Sequence, residues 1–174
     1  MSEIKLTTTR LCLEPLGIKY LESTHLYASD LENTRYMVHL PNKNRQETID
    51  FLTSVDEAWR DSKQTVYEFA IIHNKMHIGA VSLYVDNNRI GELGWIINKR
   101  YWNQGYATEA SKALMVYAIT ELGINHFIAH CDSENIGSYK IMENLGMILK
   151  EKTLGRKNKA SDEVREELLY EYII

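Results

Sequence analysis

The chain has 174 residues, 44% of them hydrophobic and 25% charged, with 24 acidic side chains against 20 basic ones and a net charge of −4. A chain of this size can bury a real core without metals or disulfides, and its composition is that of an ordinary globular protein, not a disordered or collagenous one. The acidic balance argues against a nucleic-acid partner, which calls for a basic excess or patch. No run approaches the roughly 18 apolar residues that would cross a bilayer.

The start, MSEIKLTTTR, has no apolar stretch behind a basic segment, so a cytoplasmic protein is expected. Next, LTTTRLCLEPL alternates Leu11 and Leu13 with polar neighbours, the pattern of a half-buried strand ending at Pro15. Helical spacing follows twice, first with Leu21, His25 and Ala28 on one face. A second helix over about 45–60 places Ile49, Leu52, Val55 and Trp59 on one stripe. His25 reads as a packed or capping histidine, since no second ligand type stands at partner spacing.

From Val66 the period changes to two. VYEFAII, HIGAVSLYV and RIGELGWII are separated by turn signals at Asn74 and at Asn87 with Asn88, which predicts an antiparallel meander. A long helix is expected from Tyr106 to Leu122, stopped by Gly123. A strand at HFIAHC, a helix in NIGSYKIMENL ended by Gly146, a strand over 148–154, a charged loop over 156–163 and a last strand, ELLYEYII, complete the order. With no linker or repeat, one domain over 1–174 is expected. Cys12 and Cys131 are too few for a disulfide framework and too far apart for zinc spacing, so both are expected to be reduced and buried, and no metal is expected.

The segment WIINKRYWNQGYATEA carries the most chemistry. A strand runs through a short loop into a helix with one glycine at the turn, so free backbone N–H groups and the positive end of the helix dipole converge on one point. That suits an anion, with Gly105 allowing close approach of a phosphate and Ala107 keeping the next position small. It is neither a dinucleotide fingerprint nor a P-loop, both of which need further glycines. Alone, Gly105 reads equally well as a loop residue before an amphipathic helix.

Together with the strand before it, the helix after it and the later NIGSYKIMENLGM, this segment resembles the GNAT superfamily of N-acetyltransferases, and the layout matches from first strand to last. Within it, YWNQGYATEA is similar to the branch of ribosomal-protein alanine acetyltransferases. The resemblance implies an α/β (α+β) fold with a mixed, mostly antiparallel sheet of about seven strands, splayed in the middle and flanked by about four helices. It implies acetyl-CoA as acyl donor and an amine as acceptor, with a homodimer among the expected assemblies.

Carried over by position, the resemblance makes Asn103, Gln104, Gly105, Tyr106, Ala107 and Thr108 the pyrophosphate loop, acting mainly through backbone amides. The usual Gln or Arg three residues before the glycine is replaced by Trp102, leaving Arg100 or Lys99 to supply charge. Ile96 and Ile97 are the positions implied to pair with the pantetheine arm, at a splay where a bulge is expected. Asn135 is implied to contact pantetheine, or else it caps the helix, and Lys140 is implied to reach the nucleotide end.

Many relatives carry a tyrosine four residues before the glycine of NIGSYKIMENLGM to protonate the departing thiolate. Here that position is Met142. Ser138, one turn earlier, is the residue implied for the role, unless the thiolate leaves without an acid. Glu92 is implied as the base that deprotonates the amine, or it is a solvent-facing strand residue. Glu68 is a further carboxylate, and Glu109 reads as structural. Tyr36, His39 and Trp102 are expected to line the acceptor site. The function expected is direct acetyl transfer to a primary amine, and the competing reading is an idle fold that binds acyl-CoA as a sensor or assembly module.

Overall fold

The computed structural model describes residues 4–174 of the chain. In chain order the elements are β1 (Leu6–Thr7), β2 (Cys12–Pro15), α1 (Leu21–Ala28), α2 (Arg45–Arg60), β3 (Val66–His73), β4 (Met76–Val85), β5 (Ile90–Ile97), α3 (Tyr106–Leu122), β6 (His126–Asp132), α4 (Ile136–Asn144), β7 (Ile148–Lys157) and β8 (Val164–Ile173). The strands form one sheet in the order β1-β2-β3-β4-β5-β6-β8-β7. All pairs are antiparallel except β5 with β6.

The eighth strand, beyond the seven expected, comes from the opening segment. Thr8 reverses the chain there, its N–H donating to Leu11 O and its Oγ1 accepting from Leu11 N, each at 2.9 Å. One expected strand thus becomes the hairpin β1–β2. The charged loop expected over 156–163 shortens to 158–163, because β7 and β8 pair as far as Lys157 and Val164.

α3 packs its small and apolar face, Ala107, Ala110, Leu114 and Ala118, onto one side of the sheet, against Phe69, Val81, Leu83 and Phe127. Each large apolar side chain buried there contributes about 1.5–3 kcal/mol. On the other side α2 covers Ala70 and Ala80 with Leu52 and Val55. Asn44 begins α2 by accepting from Glu47 N at 3.0 Å. α1 is rotated from expectation: Thr24, Tyr27 and Ala28 are its buried residues. His25 instead reaches sideways, its Nδ1 2.7 Å from Thr48 Oγ1. The apolar cover of α1 and α2 ends partway along the sheet, and the uncovered part of that face carries polar side chains.

The parallel pairing stops early. β5 and β6 are in register from Ile90↔His126 to Glu92↔Ile128, after which β6 stays with β8 and β5 stays with β4. The sheet opens between Leu93–Ile97 and Ala129–Asp132. The bulge expected at this splay is not there: β4 and β5 keep continuous register, and the register shifts fall between Ile71 and Ile72 in β3 and within β7. Among the described residues no helix is long and apolar enough to cross a membrane.

Candidate active site

The splay opens into a cavity of about 740 Å³. Its walls come from α1, the loop after it, the uncovered face of β3 to β5, and the start of α4.

Outside the cavity lining, the loop before α3 is a second part of the candidate site, and it is built from backbone. Gly105, at φ +78°, is the N-cap of α3 and makes no side-chain cap bond, so the first-turn N–H groups of Tyr106, Ala107 and Thr108 keep no side-chain partner from the cap. Asn103 also has positive φ, +60°, and these two left-handed residues turn the loop sharply into the helix. Tyr106 and Ala107 bury their side chains in the core, leaving backbone as what they offer at the loop. Gln104 O accepts from Arg10 Nη1 at 2.8 Å, and Arg10 stacks over the Tyr106 ring, 4.5 Å from its centre. Glu109 fixes this arginine, accepting from its Nε at 2.6 Å, from its N–H at 2.9 Å and from Thr8 Oγ1 at 2.7 Å.

Arg10 is therefore a cation set beside the loop, and no sequence spacing announced it. Lys99 is held by Asp30 at 2.8 Å and Glu32 at 3.0 Å. Arg100 is exposed. Lys140 is exposed on α4 and pairs with Glu143 at 2.8 Å.

Asn98 N donates to Ile78 O at 2.8 Å, which sets the alternation of the β4–β5 ladder. Ile96 therefore turns its backbone groups to β4, while Trp95 and Ile97 turn theirs to the splay. The Ile97 carbonyl is already taken by Asn33 Nδ2 at 2.9 Å and Trp102 Nε1 at 2.8 Å. Trp95, not Ile96, presents backbone N–H and C=O to the opening. Trp102 spends its indole on this bond and lies outside the cavity lining, whereas Tyr36 and His39 are part of it.

Across the splay stands α4. Asn135 caps it, accepting from Ser138 N at 3.2 Å, and both residues line the cavity. The Ser138 hydroxyl lies against the thiol of Cys131, which is buried and pushed up to about 11 by that burial. Met142 turns away and is fully buried in the core. Cys131 is buried as expected, whereas Cys12 is only half-buried.

The polar floor holds two carboxylates. Glu92 accepts from or pairs with His130 Nδ1 at 2.9 Å, and this contact raises the histidine pKa against the effect of burial. Glu68 is 5% exposed, and burial lifts its carboxyl to about 7 although the Tyr84 hydroxyl donates to it. Arg156 ties the far wall together. Its Nη1 meets Glu167 at 2.7 Å, its Nε donates to Asn158 Oδ1 at 2.9 Å, and its Nη2 donates to Tyr36 O at 2.8 Å. Among the described residues no group of three or more His, Cys, Asp or Glu could hold a metal ion.

A mixed sheet splayed beside an uncapped helix N-terminus is the architecture of the GNAT fold. Residues 10–148 match the family model of the acetyltransferase (GNAT) domain. The N-acetyltransferase YnaD of Bacillus subtilis is 30% identical over 145 residues, covering 82% of this chain and 81% of its own. A GNAT-family acetyltransferase structure from Bacillus anthracis superposes with a TM-score of 0.82 at 25% identity, over 98% of each chain. RimL, a ribosomal-protein alpha-N-acetyltransferase solved in complex with coenzyme A, shares the fold with a TM-score of 0.87 at 14% identity, also over 98% of each chain. The chain belongs to the GNAT acetyltransferase family, and it is an acetyltransferase.

Proposed function

We propose that the enzyme takes its acetyl group from acetyl-CoA and passes it to a primary amine by direct attack within a ternary complex. The observation that carries this reading is the convergence, in one cavity, of the Trp95 backbone at the splay, Ser138 on α4 and the Glu92–His130 pair. Acetyl-CoA supplies an activated thioester when bound. The residues fit such a donor: the loop 103–108 and Arg10 offer backbone N–H groups and a guanidinium to a pyrophosphate, and the open edge of β5 offers a strand to the extended pantetheine arm.

Within this frame the Trp95 N–H polarises the carbonyl under attack and stabilises the charge that develops on its oxygen. Glu92, oriented by His130, accepts the proton of the incoming ammonium, since only the neutral amine carries a lone pair. Ser138 donates to the departing thiolate. The amide nitrogen of Asn135 remains for pantetheine, because the cap uses only its oxygen. Tyr36 and His39 face the acceptor. The chain works in the cytoplasm, and neither a metal nor nucleic acid takes part.

The test is thiol release from acetyl-CoA with a panel of N-terminal peptides, polyamines, aminoglycosides and amino acids, repeated with Ser138→Ala and Glu92→Gln. Removing a positioned acid or base lowers kcat by roughly 10²-fold or more, so each variant should lose that much with the preferred amine. Tight acetyl-CoA binding with no turnover on any amine would favour a sensor. Chelators should leave the rate unchanged.

A further inference from the structure

At the end of the cavity away from the splay, α1 brings Thr24 and Tyr27 over Glu68 of β3 and Tyr84 of β4. Thr24 is 1% exposed and Tyr27 3% exposed, and neither Thr24 Oγ1 nor Tyr27 Oη has a hydrogen-bond partner. Thr24 stands near enough to Tyr27 to act on it as a weak hydrogen-bond partner would, short of a full bond, and one such contact leaves each hydroxyl oxygen with acceptor capacity for a guest. Buried polar groups are almost always satisfied. Two adjacent orphans in a cavity wall point to a ligand that supplies the missing partners.

The charge points the same way. Glu68 is buried with one hydroxyl donor, from Tyr84, and no cation pairs with it among the described residues. A buried carboxylate without a counter-charge is costly, and burial lifts this one to about 7. It is also distinct from the reacting centre. Glu68 faces Ser82, which faces Gly94, whereas Glu92 faces Tyr84. Two strand spacings and two residues therefore separate the carboxylates on one face, about 12 Å between Cα atoms. Gly94 leaves the floor between them bare, and a Cβ there would meet Ser82 Oγ at 2.7 Å.

We propose that Glu68, Tyr27 and Thr24 form a subsite for a second, non-reacting ammonium group, so that the acceptor is a small diamine whose other amine is acetylated at Glu92 and Ser138. The catalytic half of this statement rests on the transfer reading above; the binding half stands on the cavity alone. Glu68 supplies the counter-charge, and the Thr24 and Tyr27 oxygens accept two further ammonium protons.

The test compares diaminobutane and diaminopentane with butylamine, in the wild type, Glu68→Gln and Tyr27→Phe. Calorimetry with coenzyme A present reads binding, and thiol release reads turnover. In the wild type the diamines should bind and should exceed butylamine in kcat/KM by about tenfold or more. Glu68→Gln should remove that advantage through KM, with butylamine little changed. Tyr27→Phe should weaken diamine binding by a smaller factor. Diamine binding that is lost in Glu68→Gln, without turnover in any protein, would keep the subsite and discard the transfer reading. Diamines that fail to bind the wild type, or that do no better than butylamine, overturn the proposal. So does an equal fall in kcat for monoamine and diamine in Glu68→Gln, which would make Glu68 a base.

Discussion

The two ends of the candidate site, whose acetyl-CoA end reaches beyond the cavity lining to the loop before α3, are made of different material. At the end assigned to acetyl-CoA the working groups are backbone: the first N–H groups of α3 after Gly105, and Trp95 at the open edge of β5. At the end assigned to the acceptor they are side chains, Thr24 and Tyr27 from α1, Tyr36 and His39 from the loop after it, Glu68 from β3 and Tyr84 from β4. A backbone site needs one glycine and one uncapped helix, so it is compact in sequence and tolerant of side-chain change. A side-chain site gathers residues from several elements, and each can vary separately.

One residue joins the two ends, and its loss should have the largest effect. Asp132, fully buried at the end of β6, receives Arg165 through Nε at 3.1 Å and Nη2 at 3.0 Å, Asn158 Nδ2 at 2.7 Å and Glu134 N at 2.9 Å. It thereby holds the turn into α4, and through Asn158 it holds Arg156, whose Nη2 fixes Tyr36. Asp132→Ala removes a fully buried acceptor from Asn158 and Glu134 N, while Arg165 keeps Glu134 at 2.6 Å; the cost is about 3 kcal/mol and roughly 10 °C in Tm. Both acetyl-CoA affinity and acceptor KM should suffer. If only one is affected, the ends are mechanically independent.

Next in size is a pH effect confined to the acceptor end. Glu68 titrates near 7 in the folded protein against an ordinary 4.5, so its contribution to stability is full below about 4.5 and is lost as pH rises through 7. His77 lies on the other side of Tyr27, its ring 5.8 Å away. Its Nε2 meets Gly79 O at 2.8 Å and its Nδ1 meets Ser23 Oγ at 2.6 Å. Burial lowers it to about 4 from 6.5, so its contribution is full above 6.5 and is lost as pH falls through 4. The two opposing terms, each about 3 kcal/mol at most, overlap between pH 4.5 and 6.5. Urea melts across this range should show Glu68→Gln gaining stability relative to wild type as pH rises, and His77→Gln gaining it as pH falls. Variant curves parallel to the wild type would mean that neither group is as dry as the structure places it.

The same contrast explains what was legible in the sequence. The bounds of α2 and α3, the meander turns and the loop at Gly105 are local patterns, and they emerge at the expected residues because capping, period and turn chemistry act within a few positions. Glu109 is legible as structural for the same reason, since it sits within α3, but its partner Arg10 stands 99 residues away. Glu92 and Ser138 are placed in the cavity by elements the pattern located. Glu68 reads in sequence as one more strand carboxylate; only the packing of Thr24 and Tyr27 of α1 and of Tyr84 around it leaves it buried with no cation beside it among the described residues. The rotation of α1 that aims Tyr27 inward depends on His25 finding Thr48 and on Tyr27 meeting His77, contacts made across the fold.

Trp102 gives the smallest effect and the finest test of where the two ends divide. From sequence it belongs with the acceptor, yet its indole N–H donates to Ile97 O, where Asn33 already donates. Trp102→Phe keeps an aromatic ring at this position and removes one of two donors to that carbonyl. The expected cost is about 1 kcal/mol, a few degrees in Tm. Acceptor KM should stay within about twofold of wild type, a change worth less than 0.5 kcal/mol. Because Ile97 ends the strand that carries Trp95, any kinetic change should instead appear as weaker acetyl-CoA binding. A tenfold rise in acceptor KM with unchanged acetyl-CoA affinity would put the indole in the acceptor site, and the boundary between backbone and side-chain ends would have to move to include it.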